Sequence, residues 1–264
     1  MIARLETASP LAPATLSEYR GVRYLHLGTP WVQGAMRIAK PDAIELEYVQ
    51  RMMAWMLWRP IDELGQGRAV QLGLGAASVT RFCRDQLQMH TTAVEINPAV
   101  IGVCRLWFHL PDNDERLKVL NLDAANWVRN KSNQRSVHVL NIDLYDHDAA
   151  APALDDEAFY RACYSVMVDT ANGGGGLMSI NLFGRDASFD TSLQRIVNAF
   201  GSHQVWNLQP TKEGNTVVVA SRGVPLPDRA SLVERAEYIE TRFGLKARKW
   251  VNMIQARPKS VTST

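Results

Sequence analysis

Residues 68–98 read RAVQLGLGAASVTRFCRDQLQMHTTAVEINP. A short apolar run, 69–72, leads into Gly73-Leu74-Gly75-Ala76-Ala77-Ser78, and a helix is predicted over about 78–88. A second run, 91–96, carries an acid near its end, Glu95, and meets Asn97-Pro98. Asn is a favoured helix N-cap and Pro suits the first helical position. Strand, small-residue turn, helix, strand with an acid at its tip, helix: this is the unit from which parallel sheets covered on both faces are built.

The same alternation continues outward. Strands are predicted at 117–122, ending at Asp123, and at 137–142, ending at Asp143. Helices follow, one running through Trp127 and another over 156–170. Gly173-Gly174-Gly175-Gly176 turns the chain into a strand at 177–182, followed by a helix over 188–200. Residues 204–209 and 216–220 flank Lys212-Glu213-Gly214-Asn215 as an antiparallel pair, and a last helix covers 231–243. Towards the amino end, 22–27 alternates like a strand and a second strand is expected around 31–38. Residues 43–58 read as a helix that is apolar on more than one side, hence buried or at a subunit contact. Residues 1–20, rich in Pro, Ala and Ser, read as irregular. The expected fold class is α/β, with a doubly wound, mostly parallel sheet, a C-terminal antiparallel hairpin and a small N-terminal β-hairpin. The expected division is a hairpin-and-helix segment at 1–60, a nucleoside-binding domain at 61–258 and a flexible tail at 259–264.

Bulk properties remove several function classes. With 264 residues, 46% hydrophobic and 21% charged, the composition is that of a globular chain. A net charge of +2 with no Lys/Arg run gives no electrostatic footprint for nucleic acid. Residues 1–20 hold no apolar core of a signal peptide, and 52–58 is too short to cross a bilayer. Cys83, Cys104 and Cys163 are far apart, so neither a metal site nor a disulfide framework is expected, and a reducing cytoplasm fits.

Ligands of such sheets sit at the carboxyl ends of the strands. Four strand ends carry candidate chemistry here. Gly73 and Gly75 let the backbone approach a ligand closely. Glu95, twenty residues past Gly75, is placed to accept hydrogen bonds from both ribose hydroxyls, and its charge disfavours a 2′-phosphate. Asp123 can N-cap a helix or accept a hydrogen bond from an adenine amino group. Asp143 and Asp146, in Asp143-Leu144-Tyr145-Asp146-His147-Asp148, could bind a cationic amine, and one of them could take its proton. Together these describe an adenosine site facing an amine site.

This set resembles the spermidine synthase family of polyamine aminopropyltransferases, a branch of the class I methyltransferase fold, over roughly residues 20–225. Val70-Gln71-Leu72-Gly73-Leu74-Gly75 is similar to the family's cofactor loop, and Val94-Glu95-Ile96-Asn97-Pro98-Ala99-Val100-Ile101 to its "VEIDPxVI". Leu122-Asp123-Ala124 stands at the adenine-side acid, and Asp143-Leu144-Tyr145-Asp146 has the spacing of the D-S-S-D loop. Residues 154–160 resemble "LxxxxFY", and Val32-Gln33 with Tyr48 is similar to the N-terminal hairpin and "YHE" helix. The resemblance implies a methyltransferase-like fold, and an S-adenosylmethionine-type co-substrate, decarboxylated or not, held by Gln33, Gly73, Gly75, Glu95, Asp123 and Ala124. It further implies Asp143, Asp146 and Tyr48 as catalytic residues, no metal, a small-molecule amine substrate and a homodimer, with 52–58 as the candidate contact. The chain departs from the pattern at Ala76, where the family has an acid for the aminopropyl amine, and at Val49, Gln50 and His147. Those departures leave two alternatives open: methyl transfer from S-adenosylmethionine, and a paralogue that binds without turnover.

Overall fold

The computed structural model of the chain describes residues 11–144, 154, 156–183 and 187–256, apart from the side chains of residues 172, 187 and 188. Strands β1 (Ala14–Tyr19), β2 (Val22–Leu27) and β3 (Gly34–Arg37) form a small antiparallel sheet in that order. Helix α1 (Glu47–Met52) runs into a 3₁₀ segment, Met53–Trp58. Then come β4 (Arg68–Leu72), α2 (Ser78–Arg81), β5 (His90–Glu95), α3 (Pro98–Trp107), β6 (Leu117–Asn121), α4 (Ala124–Arg129) and β7 (Val139–Ile142). The chain continues through α5 (Glu157–Val166), α6 (Thr170–Gly173), β8 (Gly176–Phe183), α7 (Ala187–Phe200), β9 (Val205–Leu208) and β10 (Asn215–Arg222). It closes with α8 (Arg229–Phe243), α9 (Ala247–Val251) and β11 (Ile254–Ala256).

The eight-stranded sheet has the order β11-β9-β10-β8-β7-β4-β5-β6. Strands β8, β7, β4, β5 and β6 are parallel, while β10, β9 and β11 join antiparallel. The chain starts at β4, steps outward through β5 and β6, then returns to the other side of β4 as β7. That reversal opens a crevice at the carboxyl ends of β4 and β7, between the helices of the two faces.

Two sequence expectations change. Residues 14–19, read as irregular, are strand β1, joined to β2 by Arg20-Gly21 with φ of 49° and 74°. Positive φ at both positions is what a two-residue hairpin needs. Most of β1 is exposed, so no apolar alternation marked it. The expected helix over 43–58 is shorter and tightens to 3₁₀ at Met53. Every residue from Met52 to Trp58 is at most 2% exposed. Met53 to Trp58 share one core cluster with Val139, Leu177, Trp206 and Ile239, and the Trp58 and Trp206 rings lie 5.3 Å apart. This segment is therefore core of one chain and is not available as a subunit contact, which corrects that part of the homodimer expectation.

Glycine is required at one point that shapes the crevice. Gly73 has φ of 82°, and a Cβ there would fall 1.9 Å from the carbonyl oxygen of Asp143. Gly73→Ala is expected to lower stability by about 3 kcal/mol or more, through strain and displacement of the β7 end. Thermal unfolding checks this, with Gly102→Ala, where a Cβ meets nothing within 4 Å, as the control.

Candidate active site

Glu95, Asp123 and Asp143 lie at the carboxyl ends of the parallel strands β5, β6 and β7. Glu95 ends β5 and is buried rather than solvent-facing. Its Oε2 accepts from the Leu74 backbone N–H and its Oε1 from the Asn97 N–H, both at 2.8 Å. Burial pushes its carboxyl above the usual range, opposed by the N–H groups of Leu74, Asn97 and Ile96. With these N–H groups on its two oxygens, the carboxylate still keeps acceptor capacity for an incoming hydroxyl. Asn97 caps α3 by accepting from the Ala99 N–H at 3.0 Å, with Pro98 at the first position, as its sequence implies.

Asp123 caps α4, with Oδ1 accepting from the Asn126 N–H at 2.8 Å. Asn121 ties the neighbouring strand ends together by donating to the carbonyls of Glu95 and Ile96 at 3.0 and 2.8 Å. Beside these acids, Ile96 is 50% and Leu122 41% exposed. Apolar side chains left uncovered next to Glu95 and Asp123 are what the faces of a flat base would bury. Ala124, the first residue of α4, is buried behind them.

Asp143 follows β7 and sits on the floor of the crevice. The Tyr48 hydroxyl donates to its Oδ2 at 3.1 Å and the Asn181 amide donates to its Oδ1 at 3.0 Å. The amide of Asn215 in turn donates to Asn181 Oδ1 at 3.2 Å, which fixes the orientation of the Asn181 amide. Burial raises the Asp143 carboxyl to about 6, against the lowering effect of its Asn181 and Tyr48 hydrogen bonds. A carboxylate held on both oxygens and poised near neutral pH is suited to accept a proton. Asp146 lies outside the described residues.

A cavity of about 490 Å³ opens above Asp143, lined by Trp31, Val32, Tyr48, Phe183 and the glutamates Glu45, Glu47 and Glu213. The Trp31 and Phe183 rings meet edge to face at 6.5 Å. Glu45 pairs with Arg37 and Glu47 with Arg51, while Glu213 stands exposed at the mouth. Gln33 lines this cavity and also a smaller one, of about 20 Å³, between Gly75, Ala76, Tyr48 and Asp143. Ala76 is buried, and Asp143 is the single acid among the described residues lining that smaller space.

Sequence reasoning did not find Asn181 and Asn215. Asn181 sits in the otherwise apolar run Leu177–Phe183 alongside Ser179, and a polar residue inside a central strand was the available signal.

Fold and site together define an α/β protein of the methyltransferase type, with acids at successive strand ends. Comparison with known proteins gives the same class. The chain is similar to a probable spermidine synthase from Corynebacterium glutamicum, with a TM-score of 0.70 and 19% identity over 97% of this chain and 99% of that one. It is also similar to human methyltransferase-like protein 13 in complex with SAH, with a TM-score of 0.65 and 20% identity over 83% and 98%. No family model matches. In sequence it is 30% identical over 242 residues to the polyamine aminopropyltransferase of Chromobacterium violaceum, covering 91% of this chain and 88% of that protein. It is likewise 30% identical over 232 residues to that of Neisseria meningitidis serogroup A, covering 87% and 84%. The chain belongs to the polyamine aminopropyltransferase family.

Proposed function

We propose that this protein moves an aminopropyl group from decarboxylated S-adenosylmethionine to a small amine. The observation that carries the reading is Asp143, held by Tyr48 and Asn181 beneath an acid-lined cavity and raised to about 6. As a carboxylate, Asp143 accepts a proton from the acceptor ammonium. The freed nitrogen attacks the methylene carbon next to the sulfonium, a C–N bond forms, and the C–S pair returns to sulfur as methylthioadenosine leaves. The positive sulfur supplies the activation, so the protein's part is to position, desolvate and deprotonate.

In this reading Glu95 accepts from the ribose hydroxyls and Asp123 from the adenine amino group, with Ile96 and Leu122 against the ring. Gly73, Gly75 and Ala124 supply close-packed walls, and Gln33 borders both substrates. The resemblance of Asp143-Leu144-Tyr145-Asp146 to the D-S-S-D loop assigns Asp146 the role of a second acid toward the amine. Glu45, Glu47 and Glu213 give a distal ammonium anionic neighbours, and Trp31 and Phe183 flank the methylene chain. The lost acid at Ala76 leaves Asp143 as the anionic neighbour of the small cavity where the aminopropyl amine would lie.

Incubation with decarboxylated S-adenosylmethionine and putrescine, cadaverine or spermidine should release methylthioadenosine. Absence of release with all three overturns the reading. Tyr48→Phe provides a finer check. Its hydroxyl lowers the Asp143 carboxyl, so its loss should move the acid limb of kcat/KM to higher pH, with a drop of about tenfold or less near neutrality. An acid limb that stays in place would separate Tyr48 from the proton transfer.

A further inference from the structure

The opposite edge of the eight-stranded sheet carries a second arrangement, which does not rest on the reading above. Four adjacent parallel strands begin at a basic residue or immediately after one. Arg68 and His90 open β4 and β5 and face each other in register. Arg116 precedes β6 and His138 precedes β7, placing them beside His90 and Arg68. Side chains of one strand alternate between faces, so these four, with Lys118 two residues beyond Arg116, fall on the same face. They line a cleft of about 460 Å³ with Gly67, Thr91, Thr92 and Glu115. Four residues of β4, 69–72, separate Arg68 in this cleft from Gly73, a distance of about 16 Å along the strand.

Among the described residues, these cations find neutral partners rather than carboxylates. Arg68 donates to the Thr92 and Ser136 hydroxyls at 3.1 and 3.5 Å and lies over the Trp127 ring at 5.8 Å. Arg116 donates to the side-chain oxygen of Gln88. These partners are neutral, and among the described residues no carboxylate forms an ion pair with Arg68, Arg116 or Lys118. Glu115 is the one acid among the described residues lining the cleft. Arg68 is half-buried, so it has lost part of its hydration, and no counterion stands against it among the described residues. The His138 Nδ1 accepts from the Arg68 N–H at 3.1 Å, and Gly67 makes room for this ring, since a Cβ there would fall 2.4 Å from it. The basic row is thus braced from behind.

We propose that this cleft binds the phosphate group of a small phosphorylated molecule, at a site separate from the strand carboxyl ends. Two guanidinium groups and an ammonium converging on one hollow suit a dianion with several acceptor oxygens. The hollow spans only four strands and is closed in by a few residues, which favours a compact anion over a polymer.

Calorimetry on the full chain with inorganic pyrophosphate tests this. Saturable one-to-one binding is expected, weakened about tenfold or more in Arg116→Gln/Lys118→Gln, whose altered side chains are exposed or half-exposed. Arg68→Gln should weaken it as well, with circular dichroism to confirm folding. Methylthioadenosine affinity should be unchanged in the double variant. Equal pyrophosphate binding by the wild type and the folded double variant, or no saturable binding by the wild type, overturns the proposal. Tighter binding of a short single-stranded oligonucleotide, lost in the same variant, overturns it in favour of nucleic acid.

Discussion

Asp143→Asn is expected to reduce aminopropyl transfer on the order of a hundredfold to a thousandfold while making the folded protein more stable at pH 8. The first effect follows from removing the group that accepts the proton. The second follows from linkage. The Asp143 carboxyl stands at about 6 in the folded chain, above its ordinary value of 3.8. A group raised in this way favours folding in its protonated form. That advantage is complete below the ordinary value and is lost as pH rises through about 6. Above this range the buried carboxylate costs up to about 3 kcal/mol relative to a neutral group, before solvent reaching the crevice reduces it. Asparagine retains the shape, and the Tyr48 hydroxyl can rotate to accept from the new amide. Melting curves at pH 8 should show the variant above the wild type, and the gap should close towards pH 4. Activity lost without that pH-dependent gain would mean that Asp143 is not held as the geometry indicates. A variant that keeps its turnover would remove Asp143 as the base.

The second large effect is expected from Glu95→Gln. Both carboxylate oxygens accept from backbone N–H groups, of Leu74 and Asn97. An amide would set an NH₂ against one of those donors and would replace a charged acceptor for the ribose by a neutral group. Loss of charge-assisted bonds of this kind is worth about 2–3 kcal/mol. Methylthioadenosine affinity should therefore fall about a hundredfold in calorimetry. The pyrophosphate site at the far edge of the sheet provides an internal check, because its binding should not change in a variant that remains folded. Wild-type affinity for methylthioadenosine in this variant would end the ribose assignment.

Much of the fold was legible because its signals are local. The small-residue turn at Gly73–Ser78, the Asn97-Pro98 helix start and the acids ending three strands depend on backbone chemistry within a few residues. The succession of short apolar runs and helices fits a parallel sheet, and its closing pair at 205–208 and 215–222 was visible from the intervening turn. Strand β1 was not legible, because its edge position leaves most of its side chains exposed and only pairing with β2 makes it a strand. The segment 52–58 showed that it must be covered but not by what. Its own chain supplies the cover, as a layer of residues brought from β7, β8, β9 and α8.

By itself, then, the sequence determined the α/β class and the strand ends that carry acids, through short-range periodicity and spacing, and the likeness to aminopropyltransferases, through the motifs around Gly73, Glu95 and Asp143. The tertiary structure alone decided what surrounds those acids. Glu95 is buried and clamped by backbone, and Asp143 is held between Tyr48, 95 residues earlier, and Asn181, 38 residues later. The basic row Arg68, His90, Arg116 and His138 is likewise scattered along the chain and meets only when four strands align in register. Proton affinity and charge clustering depend on burial and on neighbours distant in sequence, and only folding sets those.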